Sequence, residues 1–235
     1  MNNQLNKLTE ELYTVFEKYK LDIVKFEENS CPCCFDRKTT KELFSRPLNN
    51  IIEKDIITYS ESAISTVGSI DDYKHFLPRI LDLLQDETSL DLIGSFICFE
   101  KLNYAEWETW SSEEQEIIEY YLSALWSNKI NTENISQEYL IDIMTITSRY
   151  IGIEYCLKEI LSSNTNSALD LILNSVINGF DYNIQDRESI ISWLYGEPML
   201  KKLEYIFFET NDYERSNKIS IAYTILENKY PITFY

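Results

Sequence analysis

Glycine, proline and histidine are scarce in this chain of 235 residues, which contains five glycines, five prolines and one histidine. So few glycines leave no room for the glycine-rich loops that cradle phosphate groups. No apolar run reaches the roughly 20 residues that are needed to span a bilayer. Positive charge is also in short supply, because 21 lysines and arginines stand against 39 aspartates and glutamates. The net charge of -18 repels phosphate backbones and argues against a nucleic-acid partner, and the missing apolar run argues against a membrane partner.

The composition is nevertheless that of a folded protein. Hydrophobic residues make up 44% of the chain and aromatic residues 14%, which is too apolar for a disordered protein. A chain of this length buries about 70% of its unfolded surface and so forms a substantial core. No linker rich in proline, glycine or serine interrupts the sequence, and one domain covering residues 1–235 is therefore expected.

The cysteines and the N-terminus both favour a cytoplasmic location. The first residues, Met1 to Lys7, lack the basic stretch and apolar core of a secretory signal. Three of the five cysteines, Cys31, Cys33 and Cys34, lie within four residues, where they cannot easily pair with one another. A disulfide framework is thus disfavoured, and a reducing compartment is expected.

Apolar residues recur with the helical period of 3.6 along almost the whole chain. Examples are the stripes Leu5, Leu8, Leu12, Val15, Phe16 and Tyr19; Ile70, Tyr73, Leu77, Ile80, Leu81 and Leu84; and Ile153, Cys156, Leu157, Ile160 and Leu161. Helix starts are predicted at Ser69, Ser111, Ser136, Thr165 and Asn211 from their capping side chains. The pattern predicts an all-α fold, an irregular array of about ten short amphipathic helices. The C-terminal half forms either an α-solenoid-like stack or a compact irregular array.

The segment from about residue 20 to residue 47 has the least regular pattern, and a short strand or loop is expected there. It contains the string Cys31-Pro32-Cys33-Cys34. Thiolates are ligands that zinc prefers, so Cys31, Cys33 and Cys34 are candidate metal ligands, with His75 as a fourth. Two alternatives stay open. Cys31 and Cys34 have the C-x-x-C spacing of redox sites, and the cysteines can also pack a tight turn around Pro32.

His75 is the single histidine and lies within a predicted helix. Asp71, His75 and Arg79 are spaced four residues apart and share the face opposite the apolar stripe. In a functional interpretation His75 is a metal ligand or a general base, with Asp71 accepting its ring N–H, or Asp71, His75 and Arg79 together bind a protein partner. In the alternative interpretation the three residues are a surface row of charge pairs.

Several strings together resemble those of an uncharacterised family of bacterial cytosolic all-helical proteins. These are the CPCC-type string Cys31–Cys34, Thr66-Val67-Gly68, the segment Asp72-Tyr73-Lys74-His75-Phe76-Leu77-Pro78-Arg79, and Leu102-x-Tyr104-x-x-Trp107-x-x-Trp110. The resemblance covers about residues 31–126. It implies an all-α cytosolic protein in which the cysteine string and His75 occur together, in keeping with a shared structural role or a Cys/His zinc site. It implies no particular activity.

Two functional hypotheses follow. The first is a non-enzymatic, acidic interaction protein, of the immunity or inhibitor kind, that binds a basic protein partner such as a toxin or nuclease. It rests on the net charge and on the absence of a recognisable catalytic constellation. The second is a zinc-binding domain or metal-dependent enzyme that uses Cys31, Cys33, Cys34 and His75. A plain structural scaffold subunit is a third possibility, and the sequence does not determine the oligomeric state.

Overall fold

The computed structural model describes residues 2–34, 41, 43–88, 97–179 and 187–232. Within these residues the regular structure consists of twelve α-helices and two short 3-10 helices, with no β-strand. One isolated bridge joins Ala63 and Val67. The predicted all-α class is therefore confirmed. No helix in the described part of the chain combines the length and the apolar content that crossing a membrane requires.

The chain divides into two compact units, residues 1–125 and 126–235. The prediction of one domain over residues 1–235 stays a prediction. The helices that begin in the first unit are α1 (Asn2–Phe16), α2 (Ile23–Glu28), α3 (Glu53–Ser62), α4 (Ile70–Leu83), α5 (Ile97–Tyr104) and α6 (Ser112–Ile130). The 3-10 helices Leu48–Asn50 and Trp107–Thr109 lie between α2 and α3 and between α5 and α6.

The second unit contains the end of α6 and six further helices. These are α7 (Gln137–Ile151), α8 (Ile153–Ser162), α9 (Asn166–Asn178), α10 (Arg187–Leu194), α11 (Glu197–Glu209) and α12 (Tyr213–Glu227). Consecutive helices pack in pairs, but α9 also packs against α12, and α8 packs against both α10 and α11. In a solenoid each repeat contacts only its neighbours, so these contacts favour the compact irregular array.

Four of the five predicted capping residues cap a helix. Ser69 and Asp72 form a reciprocal capping box at the start of α4, and Ser111 and Glu114 form the same hydrogen bonds at the start of α6. Ser136 and Thr165 cap α7 and α9. The prediction of Asn211 as a cap is wrong by one residue, because the Asp212 carboxylate accepts the Arg215 N–H instead.

A cluster of buried aromatic rings forms part of the core of the first unit. The Phe26 ring lies 6.0 Å from that of Tyr59, which lies 4.5 Å from that of Phe76, and all three side chains are completely buried. Phe26 belongs to α2, a six-residue helix capped by Asp22 within the segment that the sequence predicts to be irregular. The prediction of a strand or loop is therefore wrong for residues 23–28. The buried Phe26 ring and the Asp22 cap both contribute to holding this helix.

Candidate functional site

The three neighbouring cysteines lie on a turn that follows α2. The main-chain N–H of Cys34 donates to the carbonyl of Cys31 over 2.9 Å, which closes the turn. The N–H of Cys31 donates to the carbonyl of Thr66 over 2.7 Å, and the N–H of Gly68 donates to the Ser30 hydroxyl over 3.0 Å. Two strings that the sequence singles out, Cys31–Cys34 and Thr66–Gly68, are thus joined by hydrogen bonds.

Gly68 has a backbone conformation that favours glycine at this junction. Its φ is +68°, in the left-handed region, and a Cβ atom there would lie 3.0 Å from the Phe26 ring. The same residue immediately precedes the Ser69 cap, so a larger side chain would disturb both the cysteine turn and the start of α4.

The sulfur atoms of Cys31, Cys33 and Cys34 all lie within 4.8 Å of one another and can hold a metal ion. The Cys31 and Cys33 sulfurs are 2.6 Å apart, and the Cys33 and Cys34 sulfurs are 3.8 Å apart. Cys31 is half-buried, whereas Cys33 and Cys34 are exposed. This exposure disfavours the alternative in which the cysteines serve mainly as apolar packing.

The thiols influence one another's ionisation. Hydrogen bonds from Cys33, and then from Cys34, lower the pKa of Cys31. The same hydrogen bonds and the adjacent sulfur charges raise the pKa of Cys33 to about 11. Cys31 is therefore the first of these two thiols to ionise. Cys156 is buried, and these four cysteines are free thiols.

His75 is not a member of this sulfur group. Its Nδ1 donates to the main-chain carbonyl of Tyr19 over 2.8 Å, a tautomer that leaves Nε2 as the acceptor nitrogen of the neutral ring. Burial lowers the pKa of His75, although the Tyr19 carbonyl and the charge of Asp72 oppose this effect. The group of candidate metal ligands found in the described part of the chain contains only the three cysteines.

Neither Asp71 nor Arg79 forms a hydrogen bond with His75, although the four-residue spacing places all three on one face of α4. The carbonyl of Tyr19, rather than Asp71, accepts the His75 ring N–H, and Asp71 is exposed. Arg79 donates from Nε to the carbonyl of Ile51 and from Nη1 to Asp82, each over 2.8 Å. The charge pair on α4 thus has a three-residue spacing, because the Ile51 carbonyl and Asp82 hold the guanidinium of Arg79.

An open cleft of about 910 Å³ lies beside His75. Hydroxyl and charged side chains contribute much of its lining, which includes Tyr13, Tyr19, Lys20, Asn49, His75 and Asp82. The Tyr13 hydroxyl donates to the same Asp82 carboxylate that Arg79 binds, over 3.0 Å. Of the predicted partner-binding residues, His75 lines this cleft and Arg79 binds Asp82, which also lines it, whereas Asp71 is exposed and does not line it. The role of all three residues in binding stays a prediction.

A buried polar network near this cleft is not anticipated from the sequence. The Glu114 side chain is 2% exposed and accepts hydrogen bonds from the Tyr19 and Ser111 hydroxyls and from Lys74. The Lys74 ammonium also lies over the Trp110 ring, 4.1 Å from its centre. Burial alone would raise the pKa of Glu114, but the hydrogen bonds and the Lys74 charge lower it to about 2. The network thus holds an ionised carboxylate inside the first unit.

No protein-family model, curated protein or solved structure matches this chain. The resemblance to bacterial cytosolic proteins with a CPCC-type string therefore stays an expectation, as does the cytoplasmic location.

Proposed function

We propose that this chain binds a thiophilic divalent cation, most plainly zinc, through the thiolates of Cys31, Cys33 and Cys34. The observation that carries the proposal is the distance of at most 4.8 Å between any two of the three sulfurs. Three thiols this close do not readily ionise together without a cation, because neighbouring thiolates repel one another. A divalent ion removes that repulsion and is the chemical partner that such a cluster fits best.

The turn favours this proposal because it needs little rearrangement. Two thiolates that bind one tetrahedral zinc at about 2.3 Å lie about 3.8 Å apart. The Cys33 and Cys34 sulfurs already have this spacing, at 3.8 Å, whereas the Cys31 and Cys33 sulfurs, at 2.6 Å, would have to separate. Zinc sites with three protein ligands leave the fourth position to water or another molecule, so His75 is not required.

Metal analysis tests this proposal. The reduced protein is equilibrated with Zn²⁺, excess metal is removed, and bound zinc is measured; Co²⁺ substitution adds a sulfur-to-metal absorption band. We expect about one equivalent per chain for the wild type, with loss of binding when Cys31, Cys33 and Cys34 are all replaced by serine. His75→Ala is the matched control and should retain the metal. Less than about a tenth of an equivalent in the reduced wild type would overturn the proposal.

A second candidate function is the binding of a basic protein by a non-enzymatic, immunity- or inhibitor-like mechanism. The excess of 39 acidic over 21 basic residues favours it, since a net charge of -18 exceeds what solubility requires of a small domain. The electrostatic field of this net charge accelerates the encounter with a cationic partner and makes the association sensitive to salt.

Capture of a partner from the native host, followed by binding measurements with the purified partner, tests this second function. We expect a basic partner whose dissociation constant rises by at least roughly tenfold between low and physiological salt. An acidic partner, or an affinity that does not change with salt, would contradict it.

A further inference from the structure

Helices α11 and α12 pack against each other and leave a groove of about 240 Å³ on the second unit. Its lining includes Leu203, Glu204, Phe207, Phe208, Ile219 and Tyr223. Leu203 and Ile219 are buried at the base of the groove, and the aromatic rings around them are more exposed. The groove therefore combines a fixed apolar base with exposed aromatic side chains.

The exposure of the two adjacent phenylalanines is unusual for a surface without a partner. Phe208 is 76% exposed and Phe207 is 39% exposed, and their rings meet edge to face with centres 5.5 Å apart. Clustered exposed apolar groups of this kind typically mark binding surfaces, because their burial by a partner is favourable.

The charge at this groove is negative. Glu204 lines it, and the charges of Glu227 and Glu204 help to raise the pKa of Tyr223, so both carboxylates lie near that ring. Neither forms an ion pair with any residue in the described part of the chain.

Three of the cations on these two helices are held by other groups. Lys201 binds Glu197 over 2.6 Å, and Arg215 approaches Asp170 to 3.4 Å. Lys202 donates to the carbonyl of Leu161 over 2.9 Å. The fourth cation, Lys218 of α12, forms no ion pair with a described residue. Because Glu204 and Glu227 are likewise unpaired among these residues, both carboxylates are available to an incoming cation.

We propose that the α11–α12 groove binds a basic amphipathic helix of a protein partner. An apolar side chain of that helix packs against Phe207 and Phe208, and lysine or arginine side chains pair with Glu204 and Glu227. The proposal deepens, and rests on, the second function above. A second copy of this chain fits less well, because two molecules with a charge of -18 each repel one another.

A synthetic peptide tests the groove without knowledge of the natural partner. The probe is a fluorescein-labelled helical peptide of about 15 residues, with leucine at helical spacing on one face and lysine elsewhere. Its control carries glutamate in place of every lysine. Anisotropy titrations at low salt should give saturable binding of the lysine peptide and none of the glutamate peptide.

Single substitutions then locate the binding surface. Phe208→Ala should weaken peptide binding roughly tenfold, and Glu204→Gln should weaken it several-fold and reduce its salt dependence. Tyr205→Ala is the matched control and should bind as the wild type does, because Tyr205 is a 64% exposed aromatic residue of α11 that does not line the groove.

Three outcomes would overturn the inference. In the first, the three variants bind the lysine peptide with the same affinity as one another. In the second, the wild type does not bind this peptide. In the third, light scattering shows that the wild type is a dimer and that Phe208→Ala dissociates it. If a natural basic partner binds the wild type and Phe208→Ala with equal affinity, the groove is not its binding site, but the second function is still supported. If no basic partner exists, the second function fails even where the peptide binds.

Discussion

The hydroxyl of Tyr19 donates a hydrogen bond to the carboxylate of Glu114, although 95 residues separate them in the sequence. The Lys74 ammonium donates to the same hydroxyl over 2.9 Å and approaches the carboxylate to 3.4 Å. Lys18 reaches it from the solvent side at 3.3 Å. The buried negative charge is thus matched by cations and hydroxyl donors, which is the condition under which a buried carboxylate remains ionised.

Replacement of Glu114 by glutamine should reduce stability at neutral pH by about 3 kcal/mol, the free energy that corresponds to a pKa lowered from 4.5 to about 2. Because the folded-state pKa is depressed, this contribution is present above pH 4.5 and is lost as the pH falls toward 2. Urea denaturation of both proteins across this pH range measures the difference.

Glu113→Gln provides the control, since Glu113 occupies the same first turn of α6 but is exposed. It should change stability by less than about 0.5 kcal/mol. A Glu114→Gln protein as stable as the wild type at pH 7 would contradict the buried-charge interpretation.

Asp142 presents the opposite case in the second unit. Burial and, to a smaller extent, the charge of Glu138 raise its pKa from 3.8 to about 6. Ionisation therefore destabilises the folded state as the pH rises through this window. Asp142→Asn should increase stability at pH 7 by on the order of 1 kcal/mol and give a much smaller increase at pH 4. Thermal denaturation of the wild type and Asp142→Asn at the two pH values measures these changes in stability. Glu138→Gln should give a smaller gain. A gain of equal size at both pH values would mean that ionisation is not its cause.

The hydroxyl of Tyr59 is buried and has no hydrogen-bond partner in the described part of the chain. A buried polar group without a partner costs about 1–3 kcal/mol, so Tyr59→Phe should increase the free energy of unfolding by about 1 kcal/mol. Tyr121 is equally buried, but its hydroxyl donates to the carbonyl of Leu81 over 2.7 Å. Tyr121→Phe should therefore destabilise the protein. Chemical denaturation of Tyr59→Phe and Tyr121→Phe measures the two changes in unfolding free energy. Changes of the same sign would refute this prediction.

Local sequence signals predict most of the fold because helix periodicity and capping depend on residues within one or two turns. The Ser69 and Ser111 capping boxes occur where the sequence places them. Helix α2 is too short to show a periodic stripe, and only the Asp22 cap and the buried Phe26 ring distinguish it from a loop. The shift from Asn211 to Asp212 reflects two adjacent residues that are both good caps.

The candidate site is less predictable because its contacts connect distant segments. The proximity of Cys31, Cys33 and Cys34 follows from their spacing, but the partner of His75 is a main-chain carbonyl that no side-chain pattern reveals. One signal for the buried network exists in the sequence. Lys74 lies between Ile70 and Leu77 on the apolar face of α4, where a lysine requires a buried acidic partner.

His75 should make stability depend on pH near neutrality. Because burial lowers its pKa from the ordinary 6.5, the folded state resists protonation, and stability should fall as the pH drops below 6.5. His75→Asn retains an N–H donor for the Tyr19 carbonyl but cannot ionise, so this loss should be absent from the variant. The measurement is the difference in unfolding free energy between the two proteins from pH 8 to pH 5. Asp142 titrates in the same range, and its effect on stability has the opposite sign to that of His75. Because Asp142 is present in both the wild type and His75→Asn, its effect cancels in the difference between them. A difference that stays constant across this range would show that the His75 ring does not resist protonation in the folded protein.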